Sequence, residues 1–340
     1  MTIRPALVLS SVALLGTPLT AQYPLAPSPV LDLRTLSHDV RFGGYVSARG
    51  TERSDTATFV VNRARVTASV LPAPFAALRL QVDYAATGRT TGDTVPAIVL
   101  TDAFVQLVPS EPEGGARLAH VALLVGQFRT PFSLEFLTPF SLLQTANRSQ
   151  AVDRLSTRRD IGVLGQVALG GAARVTGAVI NGEGPNRLVN SDGREMAMGR
   201  VTVFPLARLA LSAKYLGEGG DHRWGYDGRW MGRSAIIEGE FIARRGPLSA
   251  ATTTDASGGY VLASYKALSW LQPVVKWERL RDDRTTGAAT IQSRLTYTTL
   301  GINLVSAGER ISRLLVDGIF KSERPASTGN ELVAQLVAIF

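Results

Sequence analysis

The sequence predicts an all-β chain, a transmembrane antiparallel β-barrel of about 16 strands. Three observations predict it. One is the closing stretch ELVAQLVAIF, residues 331–340, where Leu332, Ala334, Leu336, Ala338 and Phe340 share one strand face. Glu331 and Gln335 take the other face, with Val333, Val337 and Ile339 blurring the alternation. Another is a succession of alternating segments whose connections are short and long in turn. The third is a second strand face crowded with charge, which a soluble sandwich would have to bury.

The segments run in order from residue 38. HDVRFGGYVSAR at 38–49 comes first, then ATFVVNRARVTASVL at 57–71. In the latter Val60, Ala64, Val66, Ala68 and Val70 oppose Arg63, Arg65, Thr67 and Ser69. After the turn PAPF, Leu78, Leu80, Val82 and Tyr84 oppose Arg79, Gln81 and Asp83. AIVLTDAFVQLV at 97–108 and RLAHVALLVGQF at 117–128 follow, joined by an EPEGG turn. The interval 129–158 alternates weakly and carries Pro131 and Pro139. Strand patterning resumes at Arg159 and continues, with glycine-rich punctuation, through WGYDGRW, SAIIEGEFIAR and LQPVVKWERL to the C-terminal strand.

The connections sort by length. PAPF, LGGA, FPLA, MGRS and SAGER are short; the stretches near 50–56, 87–96, 129–158, 182–193, 246–257, 281–292 and 321–330 are long. Short periplasmic turns, long external loops and an even strand number are what a membrane barrel requires. Closure also leaves no backbone edge unsatisfied in hydrocarbon.

Composition narrows the setting. Residues 1–21 hold Arg4, the apolar run ALVLSSVALLG and a small residue, Ala21, before Gln22, the pattern of a cleaved secretory signal peptide. Its apolar core is too short to span a bilayer as a helix. Residues 22–37 then form a short periplasmic leader, too short to plug so wide a barrel, and 38–340 the barrel itself. There is no cysteine, so no disulfide supports the exported chain, and the net charge is +8. No basic helix concentrates that charge, which argues against nucleic acid as a partner and for a basic surface toward anionic solutes. Outer-membrane lipid and the outer-membrane assembly machinery are the expected partners. The terminal Phe340 resembles the assembly signal that bacterial outer-membrane proteins carry at their last residue.

Functional residues are expected on the charged face and in the long interval. The charged face carries Arg63, Arg65, Arg79, Gln81, Asp83, Gln166, Arg174, Arg200, Lys214, Glu238, Glu240, Lys276, Glu278, Arg313 and Asp317, which must meet water if the other face meets lipid. Segment 129–158 is the third external loop by this count. It holds Arg129, Arg148, Arg154 and Arg158, with Arg159 just after, against Glu135 and Asp153. Arginines at a narrow point would select anions through field and hydrogen bonding.

Specific strings bear on this reading: NRARV at 62–66, TDAFVQL at 101–107, GQFRTPFSLEFLT at 126–138, NRSQAVDRL at 147–155, RRDIGV at 158–163 and INGEGPN at 180–186. In this order they resemble the phosphate-selective porin O and P family, most clearly over 57–205. The resemblance implies a 16-stranded, homotrimeric outer-membrane porin that passes anions, with loop three folded into the pore. Two features depart from it. The external loops are compact, and lysine is scarce, with Lys214 and Lys276 the plausible lumen lysines outside the last hairpin. Permeation by small anions generally is therefore the safer expectation.

Other functions remain as alternatives: an outer-membrane enzyme, or a plugged structural or adhesive barrel. An enzyme would need a nucleophile and base, yet His38, His120 and His222 accompany no Gly-x-Ser-x-Gly elbow. No metal or cofactor is expected, since there is no cysteine and no histidine pair at ligand spacing.

Overall fold

A computed structural model describes residues 23–54, 56–85, 97–108, 120–187, 189–306 and 312–340. Sixteen antiparallel strands close into one barrel in which each strand pairs with its sequence neighbours and β1 pairs with β16. The first half comprises β1 (Arg41–Arg53), β2 (Thr56–Ala73), β3 (Ala76–Ala85), β4 (Ala97–Leu107), β5 (His120–Arg129), β6 (Arg159–Leu169), β7 (Ala173–Ile180) and β8 (Met196–Leu206). The second comprises β9 (Leu209–Glu218), β10 (Asp221–Met231), β11 (Ala235–Pro247), β12 (Thr252–Tyr265), β13 (Leu271–Thr286), β14 (Ala289–Val305), β15 (Ser312–Arg324) and β16 (Glu331–Ile339). Two short helices, α1 (Leu134–Leu137) and α2 (Gln150–Leu155), lie between β5 and β6.

The polarity of the wall is inverted relative to a water-soluble protein. Val66, Leu80, Val125, Val163, Val201, Trp224, Tyr226, Trp277 and Leu336 stand exposed on the outside. Arg65, Asp83, Arg200, Lys214, Glu240, Lys276 and Asp317 are buried on the inside. An exterior of this kind is stable against hydrocarbon, and closure supplies every strand with two partners. Where β1 and β16 meet, Phe340 exchanges backbone hydrogen bonds with Gly44, at 3.0 and 3.1 Å. Gly44 is required there, because an added Cβ would collide with the Arg65 carbonyl oxygen and come within 2.6 Å of the Phe340 ring.

Several expectations need correction. Val60 does not share the face of Val66. The β1–β2 register shifts between Ser47 and Ala48, leaving Asn62 as the extra residue. This bulge reverses the side-chain parity, so Val60 lines an inner cavity with Thr56 and Thr58. The stretches near 50–56, 246–257 and 281–292 are not long loops, because the strands continue through them into tight hairpins. Their side chains are polar on both faces, which hid the strand period, while cross-strand ion pairs support the ladder. Arg294 reaches across to Asp283, which Arg281 of the same strand also holds, and Arg245 reaches across to Asp255 at 2.7 Å. The expected signal peptide at 1–21, Gln22, the expected loop at 87–96, the EPEGG turn and most of SAGER lie outside the described residues. No helix among the described residues is long and apolar enough to cross a membrane, which says nothing of strands.

Candidate functional site

The segment between β5 and β6 packs against the inner wall. α1 is capped by Ser133, whose Oγ accepts from Phe136 N–H, and α2 by Ser149, whose Oγ accepts from Ala151 N–H. Contacts with distant strands hold the segment in place. Glu240 of β11 accepts from Ser133 Oγ at 2.9 Å and from the Leu134 and Glu135 amides at 3.2 and 3.1 Å. Asp317 of β15 accepts from Ala146 N–H at 2.6 Å, and Glu278 of β13 from Gln150 N–H at 2.9 Å. Lys276 donates to Thr145 Oγ1 and to the Asn147 carbonyl, at 3.0 and 2.7 Å.

Between this segment and β1–β4 lies a cavity of about 400 Å³. Seven arginines line it (49, 63, 65, 129, 148, 158 and 159) against two carboxylates, Asp83 and Asp153. Four of these guanidiniums lie over aromatic rings. Arg63 stands 4.6 Å from the Phe140 centroid, Arg148 5.1 Å from Phe136, Arg159 5.8 Å from Phe136 and Arg65 5.5 Å from Tyr45. Carboxylates hold others: Asp83 pairs with Arg63 at 2.9 Å and with Arg65, while Asp102 takes Arg159 at 2.6 Å and Arg79 at 3.6 Å. Arg129 donates to the Leu137 carbonyl at 3.0 Å.

Of the sequence-derived candidates, Arg63, Arg65, Arg129, Arg148, Arg158 and Arg159 line this one cavity. Arg79 lies one cavity away, beside Asp102 and Arg129. Arg154 is exposed on α2 and is not among the lining residues. Lys214 belongs elsewhere, fully buried and paired with Asp227 at 2.9 Å and with Glu240. Phe340 is half exposed on the outer face, at the seam with β1.

Sequence reasoning missed Arg49, which bonds Gln335 of β16 and the Asn147 side chain. It also missed the rings of Phe136, Phe140 and Tyr45. The first two stand in FSLEFLTPF, where nothing local distinguishes a lumen-facing ring from a packed one.

The opposite wall is built differently from what a water-lined face would require. Arg229 has a fully buried side chain and pairs with Glu238 at 2.6 Å. Arg200 and Lys214 share Asp227. These charges are desolvated and neutralise one another, so the expectation that every inner charge meets open water is corrected there.

The leader is also placed unexpectedly. Tyr23 lies beneath the Arg229 guanidinium, 4.3 Å from ring centroid to Cζ, and donates to Glu238 at 3.1 Å. Residues 24–31 continue past inner side chains of β7, β6 and β4. A length argument that left the lumen clear of the leader therefore fails. Extended chain advances about 3 Å per residue, so nine residues reach far into a barrel of this width.

The fold is a closed 16-stranded antiparallel β-barrel with a segment packed against its inner wall beside an arginine-lined cavity. No protein-family model and no curated protein sequence matches the chain. Among solved structures, similarity extends to a loop L8 deletion mutant of OmpT, an outer membrane protein of Vibrio cholerae. The TM-score is 0.64 at 12% identity, covering 89% of this chain and 99% of that one. An in-vitro folded trimer form of the same OmpT gives 0.60 at 13% identity over 89% and 99%. An anion-selective porin from Comamonas acidovorans gives 0.56 at 12% identity over 89% and 99%. At these identities the likeness is one of fold.

Proposed function

We propose that the chain is an outer-membrane porin, a water-filled channel for passive diffusion of small solutes with a preference for anions, phosphate among them. The observation that carries this reading is the excess of arginine over carboxylate around the 400 Å³ cavity between the inward segment and β1–β4. Aromatic rings hold a cation without cancelling its charge. The field of Arg148 therefore stays available to a passing solute, as does that of Arg129, held by a carbonyl, whereas Asp83 and Asp102 take up part of the charge of Arg63 and Arg159. The resemblance of GQFRTPFSLEFLT and RRDIGV to the phosphate-selective porins points the same way. The lysines do not add to the cluster, since Lys214 and Lys276 are engaged in buried contacts.

In this reading the end holding both termini and the short turns faces the periplasm. Residues 1–21 are removed on export, Phe340 serves assembly, and three copies associate in lipid. The trimer form of the Vibrio cholerae barrel supports that last point by analogy of fold. The reversal potential of the purified protein across a salt gradient in planar bilayers tests the proposal. Ohmic steps with an anion-favouring potential are the expected result, with Arg148→Ala and Arg129→Ala each moving it toward cations. Cation preference in the wild type would sink the anion reading. A barrel that passes no current would leave the enzyme or structural alternatives, which hydrolysis assays on lipid and peptide substrates separate.

A further inference from the structure

We infer that residues 23–31 are a permanent part of the pore, a strap that narrows its terminal end and helps hold the inward segment in place. This rests on the channel reading above, and it goes beyond it by giving the leader a function.

The strap is fixed at points spread around the inner wall. At one end Tyr23 is buried against Met231 and Ile236, with Leu142 of the inward segment packed alongside. Arg229 donates to the Pro24 carbonyl at 2.5 Å, to Tyr23 Oη at 3.1 Å and to Thr138 Oγ1 of the inward segment at 2.9 Å. One guanidinium thereby joins leader, wall and segment. Further along, Arg174 of β7 donates to the Ala26 carbonyl at 2.9 Å, and Ser28 Oγ donates to Gln166 of β6 at 2.7 Å. At Leu31 both backbone groups are taken by one side-chain amide, Gln106 of β4, at 2.7 and 2.9 Å. The chain then reaches β2, where Leu71 N–H donates to the Ser37 carbonyl at 2.8 Å.

Its sequence suits a stationary strap. Pro24, Pro27 and Pro29 remove donors that a lumen wall would have to satisfy, and they keep the chain extended at low entropic cost. Position matters equally. Pro24, Pro27 and Pro29 bound a second cavity of about 170 Å³, whose other walls include Arg79, Asp102, Leu137 and Pro139. Arg129 lines both this cavity and the arginine-lined one. A solute that passes the arginine cluster at Arg129 thus meets the strap next, and the strap restricts the same path in series.

The absence of native cysteine makes the test clean. Ser28→Cys with Gln166→Cys, treated with dibromobimane in intact outer membranes, should give a cross-linked product that neither single variant forms; no product overturns the placement. Deleting residues 23–31 should raise single-channel conductance about twofold and admit larger sugars in liposome swelling, because the narrow path widens. A folded deletion variant with unchanged conductance overturns the strap. Should the deletion not fold, a charged methanethiosulfonate added to Ser28→Cys channels from the terminal side should cut the current, and an unaltered current counts against the proposal. A wild type that passes no current while the cross-link still forms overturns the channel reading and, with it, the strap's effect on flow, leaving only its placement.

Discussion

The two sides of the lumen spend their charge in opposite ways. On the side of β1–β5 arginines outnumber carboxylates and face a cavity: Asp83 and Asp102 hold two arginines each, while Arg148 lies over a ring and Arg129 bonds a carbonyl. On the side of β8–β11 the buried cations are matched: Arg200 and Lys214 by Asp227, Lys214 again by Glu240, and Arg229 by Glu238. A carboxylate neutralises the cation it holds, whereas a ring quadrupole or a carbonyl positions it and leaves its net charge in the field. One side therefore supplies potential to the pore. The other supplies rigidity, anchoring the inward segment through Glu240 and the leader through Arg229.

The largest effect that follows is on stability. Glu240→Ala should cost about 3–5 kcal/mol, because it leaves the buried Lys214 ammonium with only Asp227, which Arg200 already shares, and strands three donors at the start of α1. Loss of heat-modifiable mobility at lower temperature would show it. Arg148→Ala on the opposite side should leave melting almost unchanged and shift the reversal potential instead. If Arg148→Ala melts the barrel and Glu240→Ala does not, the division between the two sides is wrong.

Much of this frame was legible in the sequence. A period of two separates the arginines of β2 from its valines, and the strand count follows from that period together with turn residues. What was not legible depends on distance or on context. Arg49 reaches the arginine cavity beside Asn147 only because β1 closes on β16. The bulge at Asn62 adds one residue without any glycine or proline to mark it, so the parity of Val60 was misread. The strand ends at Arg281–Thr286 stand where both faces are polar, and a hydrophobic pattern has nothing to report there. Length alone could not show that the prolines of the leader fit inside.

A smaller effect tests the register that turns Arg63 and Arg65 inward. Val66 is exposed on the outer face, so Val66→Arg should cost roughly 2–4 kcal/mol near the bilayer midplane. Thr67 lies on the inner face, where its Oγ1 accepts from Gln81 at 2.6 Å. Thr67→Arg loses that one neutral hydrogen bond, about 1 kcal/mol, while its new charge points into the lumen. Folding yield in lipid vesicles should be clearly lower for the first variant. Equal yields would mean that β2 is out of register and that the arginine side does not face the lumen.

The smallest expected effect concerns Glu135, which lies where the two sides meet. Its carboxyl is buried in the inward segment, and burial raises its pKa to about 8 against the opposing pull of Lys276 and the Ser149 amide. Lys276 stands 3.6 Å away and gives its hydrogen bonds to Thr145 and Asn147, so it does not fully compensate the lost hydration. Folded, the group keeps its proton up to about pH 8; unfolded, it releases it near the ordinary glutamate value of 4.5. Between those values the folded chain binds more protons, so this group's contribution to stability is greatest below the lower value and falls as pH rises toward the upper. The pore's field responds in the same window. Below about pH 8 Glu135 is neutral and adds no charge against Arg148 and Lys276; above it a new negative charge offsets part of their field. Anion preference should therefore decline modestly between pH 7 and 9 in the wild type, and the decline should vanish in Glu135→Gln. A reversal potential that is flat across that range in the wild type, or that drops equally in both proteins, would show that Glu135 belongs with the matched charges of the rigid side and has no part in the field of the pore.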